Sequence, residues 1–143
     1  MWYTICMNID IQAKKKEIAK IAEKYGLDMV VLFGSQATGN THPKSDVDIG
    51  YTSPTQLELS TRFKIEIELS KLLGREDIEF VDLRRISPVM KKIIADEGIL
   101  LYQRVLGMFV IFKMYAFKLY VETRPLRELR YQSLRHFVYG TSR

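Results

Sequence analysis

The sequence predicts an α+β fold: a small mixed β-sheet with helices packed on one side. Three observations carry that prediction. Short apolar runs of strand length occur at residues 29–33, 78–83 (IEFVDL) and 99–102 (ILLY). Longer stretches between them carry helix-type spacing with recognisable starts and stops. Nothing repeats internally and no part is low-complexity, and 143 residues make one domain that buries about two-thirds of its unfolded surface.

Residues 1–9 read as a loose lead-in, with Met7 as an alternative start. Asp10 is a candidate N-cap for a helix over 11–25, in which Ile11, Ile18, Ile21, Ala22 and Tyr25 recur at helical spacing. Lys14, Lys15, Lys16, Lys20 and Lys24 crowd its polar side, a solvated face rather than a nucleic-acid contact, and Gly26 supplies the C′ residue. A strand over 29–33 leads to a turn at Gly34-Ser35, and the next strand spans 46–51. Ser53-Pro54 then predicts a helix over 55–73 ending at Gly74. Phe63, Ile65, Ile67 and Leu69 alternate as in a strand, but length and the Glu, Lys and Leu content favour helix. A third strand covers 78–83, and Ser87-Pro88 is an N-cap followed by an N1 proline for a helix to Gly98. Residues 99–102 add an edge strand to a three-strand sheet. Residues 105–122 read as a helix with Phe109, Phe112, Ala116, Leu119 and Tyr120 on its apolar side, interrupted by Pro125. The tail after it alternates basic with apolar or aromatic residues.

The net charge of +5 is unevenly placed. Residues 1–103 hold 14 Lys/Arg against 15 Asp/Glu, and residues 104–143 hold 8 against 2. All the basic excess therefore lies in the last forty residues, a patch suited to an acidic protein, a nucleic acid or a phosphate-bearing substrate. MWYTICMNID lacks a basic n-region and a sustained apolar h-region, so no secretory signal is expected. One cysteine, Cys6, cannot staple the fold and suits a reducing, cytoplasmic location. The most apolar tract, 108–121, is broken by Lys113 and Lys118 and is too short for a bilayer, so no membrane partner is expected. His42 and His136 are too isolated for a metal site.

The chemistry concentrates in VVLFGSQATGNTHPKSDVDI, residues 30–49. In a strand, i and i+2 share a side, so Asp46 and Asp48 stand together while Val47 and Ile49 face the core. Like charges so placed repel unless a cation lies between them, and Mg²⁺ prefers carboxylates plus substrate phosphates. A DxD alone is equally an ordinary solvated hairpin. Gly34-Ser35 behind a buried strand changes the balance, since glycine lets backbone approach a phosphate and serine can donate twice. These glycines match neither a P-loop nor a dinucleotide fingerprint.

Gly34-Ser35, ten residues and then Asp46-Val47-Asp48 resemble the GSx10DxD signature of DNA polymerase β-like nucleotidyltransferases. The chain's size, the strand before Gly-Ser and the LLGRE…VDLRR stretch resemble the minimal nucleotidyltransferase (MNT) branch, in particular the antitoxins paired with HEPN-domain ribonuclease toxins. The resemblance covers residues 12–102 and implies a nucleotidyltransferase-like core over 11–102, with the helix and basic tail of 103–143 binding a partner. It implies that Gly34 and Ser35 hold the nucleotide's phosphates and that Asp46 and Asp48 hold Mg²⁺. The family's third carboxylate lies on the neighbouring strand, where Glu79 takes the matching position. Asp82 is the alternative, and the two lie on opposite faces of a regular strand. The implied catalytic and metal set is Asp46, Asp48 and Glu79.

The implied activity is Mg²⁺-dependent transfer of AMP from ATP to a tyrosine hydroxyl of the cognate HEPN toxin, releasing pyrophosphate, within a hetero-oligomer. Two departures stand out: GSQATG lacks the loop arginines of many relatives, leaving Lys44 or later basic residues to compensate, and position 79 is Glu where Asp is usual. A non-catalytic antitoxin that masks its toxin by stoichiometric binding, and a small-molecule nucleotidyltransferase, are the alternatives. Arg124, Arg127, Arg130 and Arg135, with Tyr131 and Phe137 between them, would also suit nucleic acid, the lesser expectation.

Overall fold

The computed structural model describes residues 11–39 and 45–140. Expectations placed on residues 1–9, Asp10, His42 and Lys44 lie outside the described residues. Along the chain run α1 (Lys15–Lys24), β1 (Met29–Phe33), a one-turn α2 (Ser35–Thr38), β2 (Val47–Thr52), α3 (Leu59–Leu73), β3 (Ile78–Asp82), α4 (Pro88–Glu97), β4 (Ile99–Gln103), α5 (Met108–Glu122) and α6 (Arg124–Tyr139).

The expected α+β mixed sheet is present, with four strands among the described residues in the order β3-β2-β1-β4. β1 is antiparallel to both β2 and β4, and β2 is parallel to β3. All five β1 residues are buried, because both sheet faces are covered. Val30 and Leu32 join Ile18 and Ala22 of α1 and Ile65 and Leu69 of α3 on one face. Met29, Val31 and Phe33 join Ile94 of α4 and Phe109 of α5 on the other. The helices expected on one side are thus joined by a second layer opposite, where the alternate side chains of β1 need cover.

Several boundaries follow the local signals. Gly26 takes φ +66° after α1, and Gly74 takes φ +65° as the C-cap of α3. The Ser87 side chain accepts from the Met90 amide at 3.2 Å, and Pro88 opens α4. Ser53-Pro54 does not open a helix. Ser53 Oγ donates to the Thr55 carbonyl at 2.5 Å, tying a bend, and α3 starts later at Leu59 behind Glu58.

Pro125 does not end the helical run either. Thr123 closes α5 and precedes α6, whose first turn tolerates the missing proline N–H, and the basic tail is helical to Tyr139. On α5, Phe109 and Ala116 are buried and Phe112 and Leu119 half-buried, but Tyr120 is exposed, with the Arg127 guanidinium 4.0 Å above its ring. No residue of α6 is buried.

Ile94 is fully enclosed and Leu106 is 92% exposed. Ile94→Ala is therefore expected to cost about 2–5 kcal/mol in urea unfolding, and Leu106→Ala close to nothing. Equal losses would show that the α4 layer is not part of the core.

Candidate active site

Three chain crossings meet where β1 ends and β2 and β3 begin. The register sets Phe33 opposite Asp48 and Asp48 beside Glu79. Side-chain alternation then turns Val47, Ile49, Tyr51 and Phe80 into one core face and leaves Asp48 and Glu79 together on the opposite face. Asp46 lies one residue before β2 and is exposed. The register decides which of the two β3 acids shares the face of Asp48. Asp82 pairs with Tyr51, is buried, and is bound by Arg84 through its Nε at 3.2 Å, its Nη2 at 3.1 Å and its backbone amide at 3.0 Å. Burial alone would raise the Asp82 carboxyl, but the Arg84 contacts outweigh it and hold it below its ordinary value. Arg84 also donates to the Ser53 carbonyl at 2.7 Å. Asp82 thus fastens the far end of β3 to the end of β2, away from the acids at positions 46, 48 and 79.

Gly34 leaves β1 at φ +71°, a conformation open mainly to glycine, and a Cβ there would collide with the Asp48 carboxylate. The Gly-Ser step is therefore what lets the loop pass over the acid. Ser35 follows, half-buried, at the start of α2. Two residues that the sequence reading did not assign to the site position its acids. Gln36 is buried, with Nε2 at 3.5 Å from the Ser45 carbonyl, and Arg75 donates to the same carbonyl at 2.6 Å while paired with Asp77. Val47 N–H donates to Asp77 O at 2.9 Å, so Arg75 and Asp77 anchor the start of β2 together. The sequence signal for Arg75 was its place in LLGRE; nothing marked Gln36 as structural.

The carboxylates of the trio act on one another. Burial, then the hydrogen bond to Glu79, then the charges of Glu79 and Asp46 push the Asp48 carboxyl from 3.8 up to about 6. The donors are all hard oxygens, which fits Mg²⁺ with the rest of its shell drawn from phosphate and water. Among the described residues, no three His, Cys, Asp or Glu side chains are already spaced around an ion.

The family model described as Polymerase beta, Nucleotidyltransferase matches residues 16–105. The chain belongs to that family. This match spans β1 to β4 and every acid of the site. Among named relatives of this nucleotidyltransferase, the protein adenylyltransferase MntA of Shewanella oneidensis is 32% identical over 72 residues, 50% of this chain and 51% of that protein. The matched stretch thus spans about half the relative's length. The fold is similar to a solved chain from a toxin–antitoxin structure with AMP-PNP (TM-score 0.72, 24% identity, 84% of this chain and 97% of that one). It is also similar to one from a complex of a tri-AMPylated Shewanella oneidensis HEPN toxin with an MNT antitoxin (TM-score 0.69, 21% identity, 87% and 98%).

Because the folded pKa of Asp48 lies above its unfolded one, ionising it opposes folding. Its stabilising contribution is complete below about 3.8 and is lost as pH rises through about 6. In chelator, Asp48→Asn is expected to raise stability at pH 7.5 by about 1–2 kcal/mol, discounted for solvent screening, and to raise it little near pH 4. A gain of equal size at both pH values in urea titrations would show that repulsion at Asp48 is not its source.

Proposed function

We propose that this nucleotidyltransferase is a protein adenylyltransferase that acts as the antitoxin of a HEPN/MNT pair, moving AMP from ATP to a tyrosine hydroxyl of the HEPN ribonuclease toxin. The observation that carries the reading is the convergence of Asp48 and Glu79 in adjacent register, with Asp46 beside them, under the glycine that alone fits over Asp48. Family membership and the names of the relatives support it.

In this mechanism the tyrosine oxygen attacks the α-phosphorus, the bond from that phosphorus to the bridging oxygen of the β-phosphate breaks, and pyrophosphate departs with the electron pair. The phenolic proton passes to a carboxylate or to water. A protonated phenol, with a pKa of about 10, is a poor nucleophile, so it needs that help. Asp46, Asp48 and Glu79 would hold Mg²⁺, which supplies charge neutralisation for the phosphates and activation of the hydroxyl. Gly34 and Ser35 bind the β/γ end of the nucleotide. The core over 11–102 carries the chemistry, and 103–143 docks the toxin, giving a hetero-oligomer.

The dock is supported by what α5 and α6 leave uncovered. Val110, Ile111, Met114, Phe117 and Val121 of α5 are each more than half exposed, as are Leu126, Leu129, Leu134 and Phe137 of α6. A helix of 16 residues that buries nothing is marginal alone, and its arginines favour an acidic partner surface. A second reading, neutralisation by binding without catalysis, is favoured by one observation. Gln36, in a GSQATG loop that has no arginine, is buried with its Nε2 against the Ser45 carbonyl rather than free to meet a triphosphate.

With ATP and Mg²⁺, the toxin should gain mass in multiples of AMP. Asp46→Ala, Asp48→Ala and Glu79→Ala should each slow that gain by on the order of 10²-fold or more and abolish neutralisation. Asp82→Asn should weaken folding but retain transfer. Full neutralisation by the Asp48 variant would select the binding-only reading.

A further inference from the structure

β3 is an edge strand of the sheet, paired on one side with β2. At its ends, Val47 N–H donates to Asp77 O and Leu83 N–H to Tyr51 O, both at 2.9 Å. With the parallel register, residues 77, 79, 81 and 83 direct their backbone groups to β2, so 78, 80 and 82 direct theirs outward. Two of the outward carbonyls are occupied: Arg62 Nη2 donates to Phe80 O at 2.8 Å, and Arg85 N–H donates to Asp82 O at 3.1 Å. The outward N–H groups of Ile78, Phe80 and Asp82 have no partner among the described residues. Along them runs an open groove of ≈ 470 Å³, walled by Arg62 and Glu66 of α3 on one side and by Arg85 and Ile86 on the other. Glu79, one of the converging acids, lines its end.

We propose that this groove binds the acceptor protein as an extended segment that adds a fifth strand beside β3 and presents its tyrosine to the acids. The inference rests on the adenylyltransferase reading above and deepens it. Strand addition gives affinity through main-chain hydrogen bonds, and alternate side chains give selectivity. A residue of the added strand lying beside Glu79 is one strand spacing, about 4.8 Å, from β3 and two from β2, where Asp48 stands. If its side chain is on the Glu79 face, a tyrosine ring laid over the sheet carries its hydroxyl across Glu79 towards Asp48. The α3 wall continues outward into Leu59 and Phe63, 64% and 55% exposed, which would receive side chains on the opposite face. Arg85 is exposed and forms no ion pair among the described residues, so the segment carries a carboxylate near it. Arg62 caps the Phe80 carbonyl in the free protein, a cation on the edge that discourages pairing between copies.

The test is residue-resolved amide exchange on the full chain with its HEPN toxin and α,β-methylene-ATP, beside a transfer assay with ATP. Amides of Ile78, Phe80 and Asp82 should slow at least tenfold in the complex, while those of Glu79 and Val81, already bonded to β2, should not change. Arg85→Glu should raise the KM for toxin about tenfold and leave the KM for ATP unchanged. Transfer that proceeds without slowing at the three amides overturns the docking inference and leaves the adenylyltransferase reading intact. No transfer by the wild-type protein overturns that reading, and this inference with it. Slowing in the protein alone that disappears on dilution assigns the edge to a second copy and also overturns the proposal.

Discussion

Two carboxylates held in neighbouring register are the constraint on which the rest of this protein depends. Asp48 and Glu79 stand side by side because β2 and β3 run parallel, an arrangement that requires α3 as a crossover. Burial and the neighbouring Glu79 and Asp46 push the Asp48 carboxyl up to about 6. Around them the chain is braced: Gln36 and Arg75 share the Ser45 carbonyl, Asp77 holds both Arg75 and the start of β2, and Arg84 fastens β3 to the end of β2 through Asp82 and Ser53. Polar bonds of this kind hold the acids in place where a purely apolar core would not.

The two ends of the chain face different problems. The core over β1–β4 buries large side chains on both sheet faces, with Tyr51 stacked on Phe80 at 4.2 Å. The last two helices do the reverse. α5 is apolar around most of its circumference and α6 buries none of its residues. Burial is thus concentrated in the part that carries the acids, while α5 and α6 leave much apolar surface exposed. The open β3 edge lies between these roles, being structurally part of the core and chemically unfinished.

Much was legible in the sequence because the signals were local. Strand lengths, the Ser87-Pro88 start, Gly26 and Gly74 depend on neighbouring residues alone and appear where expected. Gly34 was legible as a close-approach glycine, although the group it approaches proved to be the Asp48 carboxylate. Ser53-Pro54 misled because a hydroxyl can cap a helix or tie a bend, and here it bonds the Thr55 carbonyl instead. Pro125 misled because one proline is compatible both with a helix end and with a first turn, and here it sits in the first turn of α6.

By itself the sequence determined which residues were available for chemistry and the spacing that brings Gly34, Ser35, Asp46 and Asp48 to one end of a sheet. Only tertiary structure decided which acid of β3 joins them. Glu79 and Asp82 are equally acidic and three residues apart, so their faces are opposite whatever the pairing; the register with β2 selects Glu79, and Arg84 claims Asp82. The second helical layer, the roles of Gln36 and Arg75 and the unpaired edge of β3 share that origin. Each depends on segments brought together by pairing across the chain, which no local pattern encodes.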